Sequence, residues 1–135
     1  MTKEEAKELL KLHSSTHDDI DHPKSRRGFL GMLRPFSGEL IEENYHEVIA
    51  CIKTLANDLA NTDKVDKEVI SALWGICHLT RSWTASPDGM LRQNNLLKAG
   101  QVKMLENWTD IISYATMMLL DEQNIETAFE PYDEE

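Results

Sequence analysis

The chain has 135 residues, 41% of them hydrophobic and 28% charged, a composition that suits one globular domain and not a disordered polymer. Fourteen Lys and Arg oppose 24 Asp and Glu, for a formal net charge of −10. That balance excludes a general binder of nucleic acid or anionic membrane, both of which need a cationic surface. The two cysteines, Cys51 and Cys77, exclude a disulfide scaffold. The charged first ten residues lack the apolar core of a secretory leader, and no window reaches the roughly 18 apolar residues of a membrane helix. A cytoplasmic location with reduced thiols is expected.

Thr2 and Glu5 have the spacing of a capping box, which predicts a short amphipathic helix to about His13 with Ala6, Leu9 and Leu10 on one face. Across residues 14–38 the periodicity is lost, and Pro23, Gly28, Gly31, Pro35 and Gly38 punctuate the segment. Phe29, Leu30, Met32, Leu33 and Phe36 are nevertheless apolar. The expectation is a long ordered loop pinned to the core, with one helical turn near residues 29–33; long ordered loops are often functional.

Ile41, Tyr45, Val48, Ile52, Leu55 and Leu59 alternate steps of four and three, the clearest helix of the chain, ended by Asn61-Thr62-Asp63. Asp66 is placed to cap a third helix. Residues 69–77 are apolar on nearly every side, which predicts a helix at the centre of the fold with Trp74, like Trp83 and Trp108, in the core. Ser86-Pro87-Asp88-Gly89 has the pattern of a type I turn. A further helical turn follows within residues 90–97. Gly100 then separates it from a last long helix carrying Leu105, Trp108, Ile112, Ala115 and Leu119, flanked by Met104, Ile111 and Met118.

No segment alternates with period two. The expected fold is therefore all-α: a single-domain helical bundle of about four helices, residues 1–120, with a long ordered N-terminal loop. Residues 121–135 hold seven acidic side chains and no basic one, and read as an acidic C-terminal tail that either docks back on the bundle through Phe129, Pro131 and Tyr132 or stays solvated.

Three clusters carry candidate chemistry. His13, His17 and His22 lie within ten residues of one another, beside Asp18, Asp19 and Asp21. Imidazole and carboxylate are the usual ligands of zinc or iron, and His46 and His78 on later helices are placed to converge with them. The His17-Asp18 doublet resembles that of the histidine–aspartate phosphohydrolases, helical proteins with a dinuclear metal. No upstream His or distal Asp matches at the required distance, and that family is set aside. The alternative is a polar turn in which these side chains cap backbone groups. In the second cluster, Lys24, Arg26, Arg27 and Arg34 form a basic block with glycines. Its spacing is not that of a P-loop, and its cations are expected to pair with Asp18, Asp19, Asp21 or the acidic tail. The third cluster, Arg81, Trp83, Asp88, Met90, Arg92, Gln93, Asn94 and Asn95, has the composition of an interface. Glu42, Glu43, Glu47, Asp58, Asp66 and Glu68 read as solvated helix faces.

No Ser–His–Asp or Cys–His arrangement is supported. The expected function is that of a non-enzymatic, protein-binding module: an immunity-type inhibitor that neutralises a basic, nuclease-like toxin. Asp18, Asp19, Asp21, Arg26, Arg27, Arg92, Glu126, Glu130 and Asp133 are its expected contacts. No cofactor is implied, and neither nucleic acid nor membrane is an expected partner. The alternatives are a metal-dependent hydrolase built on His13, His17 and His22, or a non-catalytic subunit of a larger assembly.

Overall fold

The computed structural model describes residues 1–86, 88–121 and 124–135. Among them the fold is all-α: α1 (Lys3–His13), α2 (Pro23–Arg27), α3 (Glu42–Ala60), α4 (Lys67–Thr80), α5 (Met90–Gln93), α6 (Ala99–Leu120) and α7 (Ile125–Asp133). Seven α-helices thus stand among the described residues where about four were expected: α5 is the single turn expected within residues 90–97, and α2 and α7 are too short to register as periodicity. A π-helical turn, Arg81–Ala85, extends α4, and Leu33 and Phe36 form an isolated β-bridge. No helix among the described residues is long and apolar enough to cross a membrane.

Local chemistry sets the helix ends. Thr2 Oγ1 accepts from Glu5 N at 3.1 Å and opens α1. Asp66 accepts from Glu68 N at 2.9 Å and opens α4. Each side chain satisfies one of the amides that a helix start leaves without an intrahelical partner. Gly100 lies within the first turn of α6 and not before it. The turn expected at residues 86–89 includes Pro87, which lies outside the described residues; Gly89 N donates to Ser86 O at 2.9 Å.

α1 runs antiparallel to α3: Lys3 meets Asp58 at 3.0 Å near one end and His13 meets Glu47 at 2.8 Å near the other. α4 lies on the other flank of α1, where Lys7 pairs with Asp66 at 2.8 Å and Lys11 with Glu68 at 3.3 Å. α6 packs on both α3 and α4. Trp108 on α6 stacks on Tyr45 of α3 at 5.3 Å and meets Phe29 edge-on at 6.2 Å. α1, α3, α6 and α4 thus form a ring in which each packs on two neighbours, and α7 closes on α6 and α3.

α4 is not central. Val69, Ala72, Leu73, Ile76, Cys77 and Thr80 form its one buried face. Trp74 lies opposite them and is 73% exposed, so it is no part of the core. Ser71 and Gly75 are compatible with either environment, and for that reason composition made this helix look apolar all round. Trp83 is half-buried under the Arg34 guanidinium, 5.6 Å away, and only Trp108 of the three is a core residue.

Of the two expectations for the C-terminal segment, docking back is the one the structure shows: residues 125–133 form α7, capped by Asn124, which accepts from Glu126 N at 2.7 Å. Ala128 and Phe129 are buried, and Lys53 of α3 reaches over the Phe129 and Tyr132 rings at 5.4 and 4.9 Å. Glutamates dominate the composition here, but the apolar residues fall on one side of a short helix.

In residues 14–38 a turn stands where it was expected, with Met32 N donating to Gly28 O at 2.8 Å and Leu33 N to Leu30 O at 3.1 Å, and the short helix α2 precedes it unexpected. Phe29, Leu30, Met32 and Leu33 are buried against the helices. A Cβ at Gly31 would sit 2.7 Å from the Arg26 carbonyl carbon, so the backbone has no room for one. Gly31→Ala is expected to destabilise the fold by about 1–3 kcal/mol, read as a lower urea midpoint at unchanged slope.

Candidate functional site

The three clustered imidazoles serve the backbone. His13 is fully buried. Its Nδ1 accepts from Phe29 N at 2.9 Å, so the proton sits on Nε2 and is donated to Glu47 Oε1 at 2.8 Å. The same oxygen accepts from Lys24 Nζ at 2.6 Å. The His13 hydrogen bond and then Lys24 outweigh partial burial and hold the Glu47 carboxyl down at about 2. Glu47 is therefore no solvated face residue but the joint between α1, α2 and α3. His17 pairs with Glu8 at 2.5 Å through Nε2 and accepts from Asp19 N at 3.0 Å through Nδ1. His22 accepts from Lys24 N at 3.1 Å and caps α2.

Each Nδ1 is thus committed to a different amide. Among the described residues, no three His, Cys, Asp or Glu side chains are grouped to hold a metal ion. His46 bonds the Tyr132 hydroxyl at 2.8 Å, His78 is exposed on α4, and neither approaches the cluster. The structure does not bring the expected metal ligands together.

The basic block behaves differently from its expected pairing. Lys24 goes to Glu47, and Arg34 to Trp83. Arg26 and Arg27 are exposed and form no salt bridge among the described residues. Asp19 accepts from Asp21 N at 3.1 Å, and its carbonyl accepts from Ser25 Oγ at 2.8 Å; Asp18 and Asp21 are exposed. Arg92 is half-buried beside the π-helical turn that α5 packs against. Arg81, at the base of that turn, crosses to α6 and binds Asp110 at 3.1 Å and Ser113 at 2.9 Å.

Two concavities among the described residues bear on a site. A cleft of about 360 Å³ at the α1–α3–α4 end is lined by Lys3, Lys7, Asp58 and Asp66, whose charges already neutralise one another in pairs. The second, about 550 Å³, is a shallow groove between α6 and α7 lined by Asn107, Asp110, Ile111, Tyr114, Pro131, Glu134 and Glu135. Its floor mixes aliphatic and aromatic carbon, and its rim is carboxylate.

Glu135 is held in place there, accepting from Tyr45 Oη at 3.2 Å and from Asn107 Nδ2 at 2.8 Å. Burial and the neighbouring Glu135 push the Tyr45 phenol well above the ordinary tyrosine range, so this hydroxyl stays a donor. Asp133 is anchored by Lys53 at 3.1 Å, while Glu126 and Glu130 are exposed on α7. Sequence reasoning named three of these carboxylates but missed Asp110, Glu134 and Glu135. The available signal was Asn107, Asp110 and Tyr114, which interrupt the apolar pattern of α6 at helical spacing.

Cys51 and Cys77 are buried thiols pushed up to about 12 and about 11 by burial, far from thiolate reactivity at neutral pH. No protein-family model, curated protein or solved structure matches this chain.

Proposed function

We propose that the chain is a non-catalytic module that binds a basic protein through the α6–α7 groove, in the manner of an immunity-type inhibitor of a cationic, nuclease-like toxin. α1, α3, α4 and α6 act as the frame of about four helices, and α7 carries the charge. The observation that carries the reading is the carboxylate rim: Glu134 and Glu135, with Asp110 shared with Arg81 at 3.1 Å, around Tyr114 and Ile111, and with Glu135 tied to Tyr45 and Asn107. A nuclease holds phosphate with Lys and Arg. A carboxylate already held in place, as Glu135 is by Tyr45 and Asn107, opposes those cations at reduced ordering cost, accelerates encounter and selects the partner. Tyrosine is enriched in such interfaces. Asp18, Asp19, Asp21, Arg26 and Arg27 lie in and around α2, and Arg92 in α5; all stand outside the groove lining and serve in this reading as secondary contacts at most. Reduced Cys51 and Cys77 accord with a cytoplasmic setting. A hydrolase built on His13, His17 and His22 has no observation in its favour, since their Nδ1 atoms are engaged by backbone amides.

The test is titration of purified protein against a panel of basic nucleases, with nuclease activity and calorimetry as readouts. A one-to-one inhibitory complex that weakens with added salt is expected. Tyr114→Ala/Glu134→Lys, at two residues of the groove lining, should weaken it at least about tenfold. Failure to bind any member, or binding indifferent to that double substitution, contradicts the proposal.

A further inference from the structure

Between Ser14 and Gly28, both buried, the chain makes an excursion in which no residue from 15 to 27 is buried, and Ile20 is 75% exposed. No apolar anchor holds this strap. Its ties to the helical frame are polar: His17 to Glu8, Lys24 to Glu47, Thr16 N to Lys11 O at 2.9 Å and Asn44 Nδ2 to Arg27 O at 2.8 Å. Three backbone amides along it are satisfied in one and the same way. Asp19 N donates to His17 Nδ1 at 3.0 Å, Lys24 N to His22 Nδ1 at 3.1 Å and Phe29 N, just beyond the far end, to His13 Nδ1 at 2.9 Å.

An Nδ1 that accepts from an amide carries a lone pair, so all three rings are neutral while the strap is closed. Imidazolium has a proton on both nitrogens, and a protonated Nδ1 would point its hydrogen at the amide hydrogen. His13 has the least room to escape that clash. It is fully buried, and a Cβ at Gly28 would stand 3.2 Å from its Nδ1. The charges around the rings decide which bonds survive. His13 faces Glu47 of α3, which Lys24 of α2 shares; His17 faces Glu8 of α1; His22 has no ion pair among the described residues. Both carboxylates bond Nε2, which stays a donor when the ring is charged. Acid therefore keeps His13 on α3 and His17 on α1 but takes the acceptor from each amide. A proton and the closed strap compete for the same lone pair, three times along one segment.

We infer that residues 14–28 form a proton-operated strap, closed at neutral pH and opened at its amide ties when His13, His17 and His22 take up protons at Nδ1. The open form binds more protons than the closed one, so its population rises as pH falls through the ordinary imidazole range, about 6.5. That window lies above the one in which Glu47 titrates, so the helices stay folded while the strap opens. Opening releases Asp18, Asp19, Asp21, Arg26 and Arg27 from fixed positions. The inference uses neither the α6–α7 groove nor a basic partner.

Amide hydrogen exchange between pH 7.5 and 5.5, expressed as protection after correction for the intrinsic rate, tests it on the full chain. Protection at Asp19, Lys24 and Phe29 is expected to fall together, while that of Ala115 in α6 holds. One ordinary imidazole supplies about tenfold over this interval. A larger loss is expected at Phe29, because the three rings titrate with one opening. Asn places Oδ1 where His places Nδ1, never titrates there and suits both the cap of α2 and the turn at residue 17. His17→Asn/His22→Asn should therefore keep the strap closed at pH 7.5 and cut the loss at Phe29 to about tenfold or below. Three results overturn the inference: a loss at Phe29 of tenfold or less in the parent, an equal loss at Ala115, or a loss that the double variant leaves unchanged. Both substituted positions lie outside the core, so the test does not depend on replacing His13.

Discussion

Truncation after Asn124 is expected to bring the domain close to unfolding. It removes the buried Ala128 and Phe129 and strips cover from Tyr45, which packs edge-on against Tyr132 at 5.6 Å, and from Lys53. A buried phenylalanine alone is worth about 3–5 kcal/mol on replacement by alanine. A domain of this size holds about 5–15 kcal/mol in all. Phe129→Ala should therefore shift the urea midpoint strongly, and deletion of α7 should leave a broad transition with partial loss of helical circular dichroism. A truncated chain with the full-length midpoint would show that α7 contributes nothing to the core.

The second large effect belongs to His13. Replacement by alanine leaves Phe29 N without its acceptor inside the core and Glu47 without its buried donor, and it opens a cavity in α1. About 3 kcal/mol is expected, lowering the melting temperature by roughly 10 °C. Glu47 supplies the pH dependence. Its carboxyl, held near 2 in the folded chain against an ordinary 4.5, contributes stability that is fully present above about 4.5 and is lost as pH falls towards 2. Glu47→Gln keeps an acceptor for His13 but removes the titration, so acid unfolding between those limits should flatten relative to the parent. An unchanged acid slope would place the charge of Glu47 outside the stability of the fold.

The long helices were legible in the sequence because a 3.6-residue repeat is a one-dimensional signal. The α3 stripe from Tyr45 to Leu59 and the α6 stripe from Leu105 to Leu119 are buried where that repeat puts them. Two things were not legible. The side of α4 that faces the core depends on where α1 and α6 lie, and Trp74, flanked by Ser71 and Gly75, gives no clue to it. α7 is nine residues long, too short for a clear repeat, so Phe129 and Tyr132 were visible as candidates to dock but not as one face of a helix. Of the histidine cluster, the residue types were visible but not their use: His13 is bonded to Phe29 and Glu47, 16 and 34 positions away. The groove carboxylates Asp110 and Glu135 likewise meet only after α7 has folded back on α6.

Everything proposed for the acidic surface rests on α7 being a fixed part of the fold. Native-state hydrogen exchange of the α7 amides tests that directly, above all Ala128 N, which donates to Asn124 O at 3.2 Å. Protection approaching that of Ala115 in the middle of α6 is the predicted result. Exchange at the rate of an unstructured peptide would contradict the account, and the carboxylate rim would cease to be a surface.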